Sequence, residues 1–212
     1  MVNDIDNTIE NSWIQNRLNQ EIENKTGTDF STNEYVKEWD EVHRKFGSNP
    51  NKFPPSIKSL LKRIQKGGSL PYINPVVALF NYISIKYLIP CGGDDIEKIQ
   101  GNLQLGFADG NEIFVALGSE IQENPESGEV IYFDDKTLNV MCRRWNWRNG
   151  DFTKITENTT KLVINIDGVG QISESIITEA RDELAKLLIE QCGASITTGY
   201  LDKENQEIIF SG

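Results

Sequence analysis

Histidine is nearly missing from this sequence: His43 is the only one in 212 residues. That excludes histidine-rich metal sites and argues against a serine triad with a histidine base. Set among charged neighbours on what reads as an acidic helix, His43 is expected at the surface. Cysteine is scarce too. Cys91, Cys142 and Cys192 are odd in number, far apart and without a Cys-x-x-Cys pair, which excludes a disulfide framework and a zinc site and leaves buried or idle thiols. No apolar run approaches the roughly 18 residues of a membrane span. The opening Met1-Val2-Asn3-Asp4-Ile5-Asp6 lacks the basic and apolar regions of a signal peptide, so a cytosolic location and no membrane partner are expected. A phosphate-cradling glycine loop, a Walker lysine and a His-Glu-x-x-His helix are also absent, and neither cofactor nor metal is expected.

Positive charge is in the minority, with 21 Lys and Arg against 32 Asp and Glu and a formal net charge of -11. Averaged over the chain, that opposes a nucleic-acid partner. The distribution changes the argument. Residues 51–90 carry Lys52, Lys58, Lys62, Arg63, Lys66 and Lys86 and no acid, and Arg143, Arg144 and Arg148 form a second island. Exposed charges more than about 8 Å apart are largely screened at physiological salt, so a local anion site survives an acidic average. The plainer reading of Lys58, Lys62, Arg63 and Lys66 is the wet face of a helix. With 38% hydrophobic and 25% charged residues and a mean hydropathy of -0.43, the chain reads as an ordinary globular protein forming one compact unit.

Along the chain, residues 8–24 read as a helix with Ile9, Trp13, Ile14, Leu18 and Ile22 on one stripe, a candidate N-terminal arm. Ser31-Thr32-Asn33-Glu34 looks like a capping box for a second helix, with Tyr35, Val36, Trp39, Val42 and Phe46 at helical spacing until Gly47. Pro50, Pro54 and Pro55 make a rigid connector to a short basic helix that ends at Gly67-Gly68. Asn74-Pro75 reads as an N-cap and first-turn proline for a helix through about Leu88, with a core stripe from Ile73. Asn74, Ala78, Asn81 and Ile85 share another face. Its two amides either meet a ligand or serve only to cap and to bond a loop.

Beyond Pro90, a Cys91-Gly92-Gly93-Asp94-Asp95 loop that needs its glycines for turning gives way to strands at Leu103–Ala108, Glu112–Leu117, Val130–Phe133, Thr137–Trp145 and Lys161–Ile166. These form antiparallel or mixed sheets. A helix from Ser173 to Gln191 and a closing hairpin of Ala194–Leu201 with Glu207–Phe210 complete the chain. Helices on both sides of a strand block imply α+β.

The six residues Arg143-Arg144-Trp145-Asn146-Trp147-Arg148 hold three guanidinium groups and two of the four tryptophans. As an extended strand they put Arg144, Asn146 and Arg148 on one face and Arg143, Trp145 and Trp147 on the other. Arginine forks match phosphates and carboxylates, and indoles stack on bases for about 1 to 3 kcal/mol each. The alternative is a strand whose arginines pair with the chain's own acids.

The ordered series Lys62-Arg63, Asn74-Pro75-Val76-Val77, Asn81-Tyr82, Pro90, Asp95, Gly101, Glu112-Ile113-Phe114, Gly128-Glu129-Val130 and Arg144-Trp145-Asn146-Trp147-Arg148 resembles the B3/B4 domain of the phenylalanyl-tRNA synthetase beta subunit, and most closely its freestanding bacterial versions. The resemblance covers residues 35–195. It implies a three-layer α+β fold containing a β-sandwich with flanking helices, contact with tRNA, and hydrolysis of a mischarged aminoacyl-tRNA at an amino-acid pocket. Residues 51–212 are then the tRNA-binding and editing domain, with 1–50 a helical extension. Asn81-Tyr82 matches the family's Asn-Tyr on the pocket helix, although Phe80 replaces the hydroxyl residue expected before it. The family's histidine falls near Gly92 and its pocket glutamate near Arg148-Asn149, and this sequence has neither. The freestanding versions put the basic-aromatic segment and Thr153, Thr156, Thr159 and Thr160 where the synthetase has a glycine-rich strand. Aminoacylation is excluded, since the chain lacks the ATP-binding catalytic module.

Two readings follow from the resemblance. As a hydrolase acting in trans, the protein needs only a positioned water and oxyanion donors, because an aminoacyl ester is already activated. Asn81, Arg144 and Asn146 are the catalytic candidates. Asn74, Asp95, Glu112, Arg143, Trp145, Trp147, Arg148, Thr153 and Thr156 are the substrate-binding candidates, with Asp95 or Glu112 pairing the ammonium. Lys58, Lys62, Arg63 and Lys66 would steer the acceptor stem. As a non-catalytic module, the same pocket holds an amino acid, a nucleotide or tRNA without chemistry. Expected partners are tRNA or aminoacyl-tRNA, through its amino-acid moiety; the oligomeric state is left open.

Overall fold

Helices form where the apolar stripes place them. The computed structural model describes residues 1–6, 12–170, 172 and 174–210. Its helices are α1 (Ser12–Lys25), α2 (Glu34–Lys45), α3 (Ser56–Gln65), α4 (Pro75–Tyr87) and α5 (Glu174–Cys192). Ile14, Leu18 and Ile22 turn inward on α1, while Trp13 is exposed. The expected start of α1 at residue 8, with Ile9, and that of α5 at Ser173 lie outside the described residues. The cap of α2 is Asn33 rather than Ser31. The Asn33 carboxamide oxygen accepts from the Tyr35 and Val36 N–H groups at 3.0 and 3.2 Å, whereas Ser31 donates to Asp29. Asn74 caps α4 as expected, accepting from the Val77 N–H at 2.9 Å, but Ile73 before it is exposed.

The strands are β1 (Val2–Asn3), β2 (Cys91–Asp95), β3 (Leu103–Phe107), β4 (Phe114–Val115), β5 (Gln122–Glu123), β6 (Val130–Asp134), β7 (Val140–Arg143), β8 (Arg148–Asn149), β9 (Leu162–Ile166) and β10 (Ser195–Ile196). One antiparallel sheet runs β10-β1-β9-β2, a second runs β3-β6-β7-β8, and β4 pairs with β5. Four expectations are corrected. The Cys91–Asp95 segment is a strand, held by five register partners on β9. The long 137–145 strand shortens to Val140–Arg143 and then turns. Only Phe114–Val115 of the 112–117 strand pairs as one. Among the described residues no closing hairpin forms; Ser195–Ile196 pairs with β1 instead. Val2 and Asn3 thus sit inside a sheet, between β10 and β9.

The architecture is α+β in three layers. Helices cover one face of the first sheet, and Cys91 and Leu162 join Val76, Leu79, Ile83 and Leu184 in the larger core. Phe114, Ala116, Ile131 and Val140 form a smaller core behind the second sheet. Side chains alternate along β2 and β9, so Gly92 and Asp94, with their cross-strand partners Asn165 and Val163, stand on the face turned from the helices. That face looks toward the second sheet.

Candidate functional site

The arginine-tryptophan segment is a turn, not a strand. Arg143 pairs with Arg148, and between them Arg144 and Trp145 take φ values of 47° and 66°. Left-handed backbone costs about 1 to 2 kcal/mol per non-glycine residue, so something must hold both. Buried Glu129 does so. Its carboxylate accepts from Arg143 Nε and Nη2 at 2.8 and 2.7 Å and from the Arg144 backbone N–H at 3.2 Å. Arg143 Nη1 reaches Glu123 at 3.0 Å and Arg144 Nη2 reaches Glu126 at 2.9 Å, while the Arg144 guanidinium lies 3.9 Å over the Phe53 ring. Both guanidinium groups are buried and engaged by the chain's own acids. The alternating faces expected for 143–148 do not exist, and Arg143 and Arg144 brace the turn.

What the turn delivers inward is Trp145 and Asn146. Trp145 meets Trp39 edge to face at 5.2 Å, and Trp39 in turn meets the ring of His43. His43, expected at the surface, is fully buried; burial lowers its pKa to about 4, against the opposing effects of Asn146 and Asp40, so it is neutral at pH 7. Both nitrogens of His43, the whole Asn146 carboxamide and Trp145 Nε1 lack a hydrogen bond of good geometry among the described residues. Buried polar groups are normally satisfied, and these lie within reach of one another: Asn146 and the Phe53 backbone beside His43, and Trp145 and Asn146 beside Asp167. The backbone stays tied down: the Asn146 carbonyl accepts from the Ser56 N–H at 2.9 Å and so caps α3.

Carboxylates stand opposite. Asp167 accepts from the Tyr132 hydroxyl of the second sheet at 2.8 Å and from Asn165 Nδ2 at 3.3 Å. Burial raises its pKa, although Tyr132, Asn165, Trp145 and Asn146 hold it down. Asp94 accepts from the Thr153 hydroxyl at 2.5 Å, and burial pushes its pKa up to about 6. Neither acid has an ion-pair partner among the described residues. Beside them a Cβ placed on Gly92 would meet no atom within 4 Å, so the strand leaves open space where the family's histidine is expected.

The remaining candidates scatter. Asn74 is buried on its capping duty, with Nδ2 unpartnered. Asn81 is half-buried on α4, and no hydrogen bond among the described residues joins it to the turn. Asp95 accepts from the Thr159 hydroxyl at 2.8 Å and from the Glu97 N–H, and Glu112 accepts from the Asp109 and Gly110 N–H groups; both serve their own loops. Burial works to raise the Glu112 pKa, yet those backbone donors lower it. Thr153 belongs to the site through Asp94, while the Thr156 hydroxyl accepts from the Asn158 N–H. Trp147 packs on Phe53 at 4.6 Å and Arg148 is exposed, 3.6 Å from Glu123. Lys58 is paired with Asp40 at 2.6 Å, whereas Lys62, Arg63 and Lys66 are exposed along α3. Sequence reasoning missed Glu129, His43, Asp94, Tyr132, Asn165 and Asp167. A signal existed for His43, since Val36, Trp39 and His43 recur at helical spacing.

Chemically, the site offers buried Asp167 against the Asn146 amide and Trp145 indole, with Asp94 and Thr153 further along the same sheet face. That set suits a small ligand with a cation at one end and an oxygen acceptor at the other. Among the described residues no group of three or more His, Cys, Asp or Glu is arranged to hold a metal, and no helix is long and apolar enough to cross a membrane.

A family model described as the B3/4 domain matches residues 38–193. No curated protein matches the chain. A solved N-terminal fragment of the phenylalanyl-tRNA synthetase beta-subunit from Pyrococcus horikoshii is similar at 17% identity and a TM-score of 0.46, over 57% of this chain and 40% of that one.

Proposed function

The chain belongs to the B3/4 domain family, and from that premise we propose that it binds the aminoacyl end of tRNA and hydrolyses mischarged ester in trans. One observation carries this reading: buried Asp167 and half-buried Asp94 have no cation to answer them among the described residues, and the Asn146 amide and Trp145 indole lie against Asp167. An α-ammonium bound at Asp167 would restore its ionised form. The ester carbonyl would then face the Asn146 carboxamide and Trp145 Nε1, donors of the kind whose loss typically costs about 3 kcal/mol in an oxyanion site. Of the three residues first considered for catalysis, Asn146 keeps that role. Arg144 positions the turn, and Asn81 is at most a wall of the pocket. Neutral His43 orients rather than protonates.

The phosphates of the acceptor stem would be met outside the pocket. Helix α3 begins at the turn and exposes Lys62, Arg63 and Lys66 two to three helical turns further on. In this reading residues 51–212 form the tRNA-binding unit and residues 1–50 an extension joined to it.

Non-catalytic binding is the second reading, supported by Gly92, which leaves no side chain where the resemblance expects a histidine. A panel of charged tRNAs incubated with the protein, with ester loss followed over time, separates the two. Acceleration for at least one amino acid, abolished by Asn146→Ala, supports hydrolysis. Binding without acceleration supports the second reading. If Gly92→Phe, which fills the open space, changes neither binding nor turnover, the pocket assignment fails.

A further inference from the structure

The second sheet ends on β3, which has β6 on one side and, among the described residues, no strand on the other. Natural sheets protect such edges with lysine, proline, bulges or very short strands. This one has none of those devices. Leu103-Gln104-Leu105-Gly106-Phe107 carries no charge and no proline, pairs over five residues, and leaves Leu105 43% and Phe107 70% exposed.

Its hydrogen-bond parity defines what fits there. The Asp135 N–H donates to the Asn102 carbonyl and the Ala108 N–H to the Glu129 carbonyl, so the even-numbered residues are the ones bonded to β6. Leu103, Leu105 and Phe107 therefore turn their backbone N–H and C=O groups outward. We propose that a second copy of this chain covers the edge, β3 against β3, antiparallel about a two-fold axis through Leu105. In that register Leu105 meets Leu105 and Leu103 meets Phe107, and each exchanges both of its outward backbone hydrogen bonds. All the apolar side chains fall on one face. Gln104 meets Gly106 on the other, where the missing side chain leaves room. No charge opposes a like charge across the strand pair, and the two-fold makes the contact closed and self-complementary. The chain's net charge of -11 still works against association, so the dimer strengthens as salt screens it.

Sedimentation of the intact protein from micromolar to sub-millimolar concentration should show a reversible rise to twice the chain mass, larger at high salt. Leu105→Lys should return the protein to monomer with its circular dichroism unchanged; Phe107→Lys replaces it if that variant fails to fold. The native cysteines are all buried, so a cysteine introduced by Leu105→Cys reports alone. Directly paired residues lie about 5.5 Å apart at Cα, within disulfide reach. Copper-phenanthroline should then cross-link Leu105→Cys to a covalent dimer and leave Gln104→Cys uncoupled. A wild-type protein that stays monomeric throughout overturns the proposal, as does a dimer that survives the lysine substitution or cross-links no faster at position 105 than at 104.

Discussion

Replacing Glu129 by glutamine tests whether the arginines of the turn are structural. The Glu129 side chain has no exposed surface and accepts from Arg143 twice, from the Arg144 N–H and from the Glu126 N–H. Glutamine keeps the shape and one acceptor but loses the charge, leaving two buried guanidinium groups. Their remaining partners are Glu123 and Glu126, and Glu126 is 77% exposed. Removing one partner of a buried ion pair costs about 3 to 5 kcal/mol. With two outer glutamates still in place, the lower end applies, about 3 kcal/mol. Glu126→Gln, which removes an exposed partner, should cost under about 1 kcal/mol. Urea denaturation followed by circular dichroism measures both, and tryptophan fluorescence reports whether Trp145 leaves Trp39. Adding Arg143→Met to Glu129→Gln should recover part of the loss, because the unpaired charge goes with its partner. If Glu129→Gln costs less than about 1 kcal/mol with fluorescence unchanged, the guanidinium groups do not depend on Glu129 and are free to bind phosphate after all.

The two titrating groups of the site pull in opposite directions with pH. Asp94 is raised from 3.8 to about 6, so its neutral form favours folding and that advantage is lost as pH rises through about 6. His43 is lowered from 6.5 to about 4, so its stabilising neutrality is lost as pH falls through that window. Each amounts to about 3 kcal/mol. Relative to wild type, Asp94→Asn should therefore lose about 3 kcal/mol between about pH 7 and pH 4, and His43→Phe should gain a similar amount; stability differences flat with pH in both variants refute the assignment. The adjacent glycines of β2 make a second contrast. A Cβ at Gly93 would lie 2.7 Å from the Val163 carbonyl oxygen and one at Gly92 would meet nothing, so Gly93→Ala should cost about 1 to 3 kcal/mol and Gly92→Ala under about 0.5, read as denaturation midpoints.

Legibility tracked how local the determining forces are. Helices α2 to α5 follow from apolar spacing, and the Asn74-Pro75 start of α4 from capping within a few residues. Strands β6 and β9 are rich in β-branched or aromatic residues, β3 alternates leucine and phenylalanine with glutamine and glycine, and all three fell close to where the sequence pattern puts them. Strand β2 was hidden because Gly-Gly-Asp-Asp has little β propensity; pairing with β9, some 70 residues on, makes it a strand. The turn was hidden for a like reason. Nothing within 143–148 requires two left-handed residues without glycine, and the acid that holds them is Glu129, just before β6 and 14 residues before Arg143.

The same distance effect inverts the charge logic of the site. Read alone, three arginines and two tryptophans in six residues invite an anion. In place, the buried glutamate and two outer ones absorb Arg143 and Arg144, and Arg148 is left at the surface beside Glu123. An acidic chain that folds its scarce cations against its own acids uses them as internal braces, and the groups it leaves unanswered are then acids. Asp94 and Asp167 are two such groups, and burial raises the pKa of each. That leaves acids at the proposed site and exposed Lys62, Arg63 and Lys66 on the outside of α3. Under the proposed function, a ligand with an ammonium at one end and a phosphate chain beyond it would engage both sets of groups, whereas a free nucleotide would engage only the second.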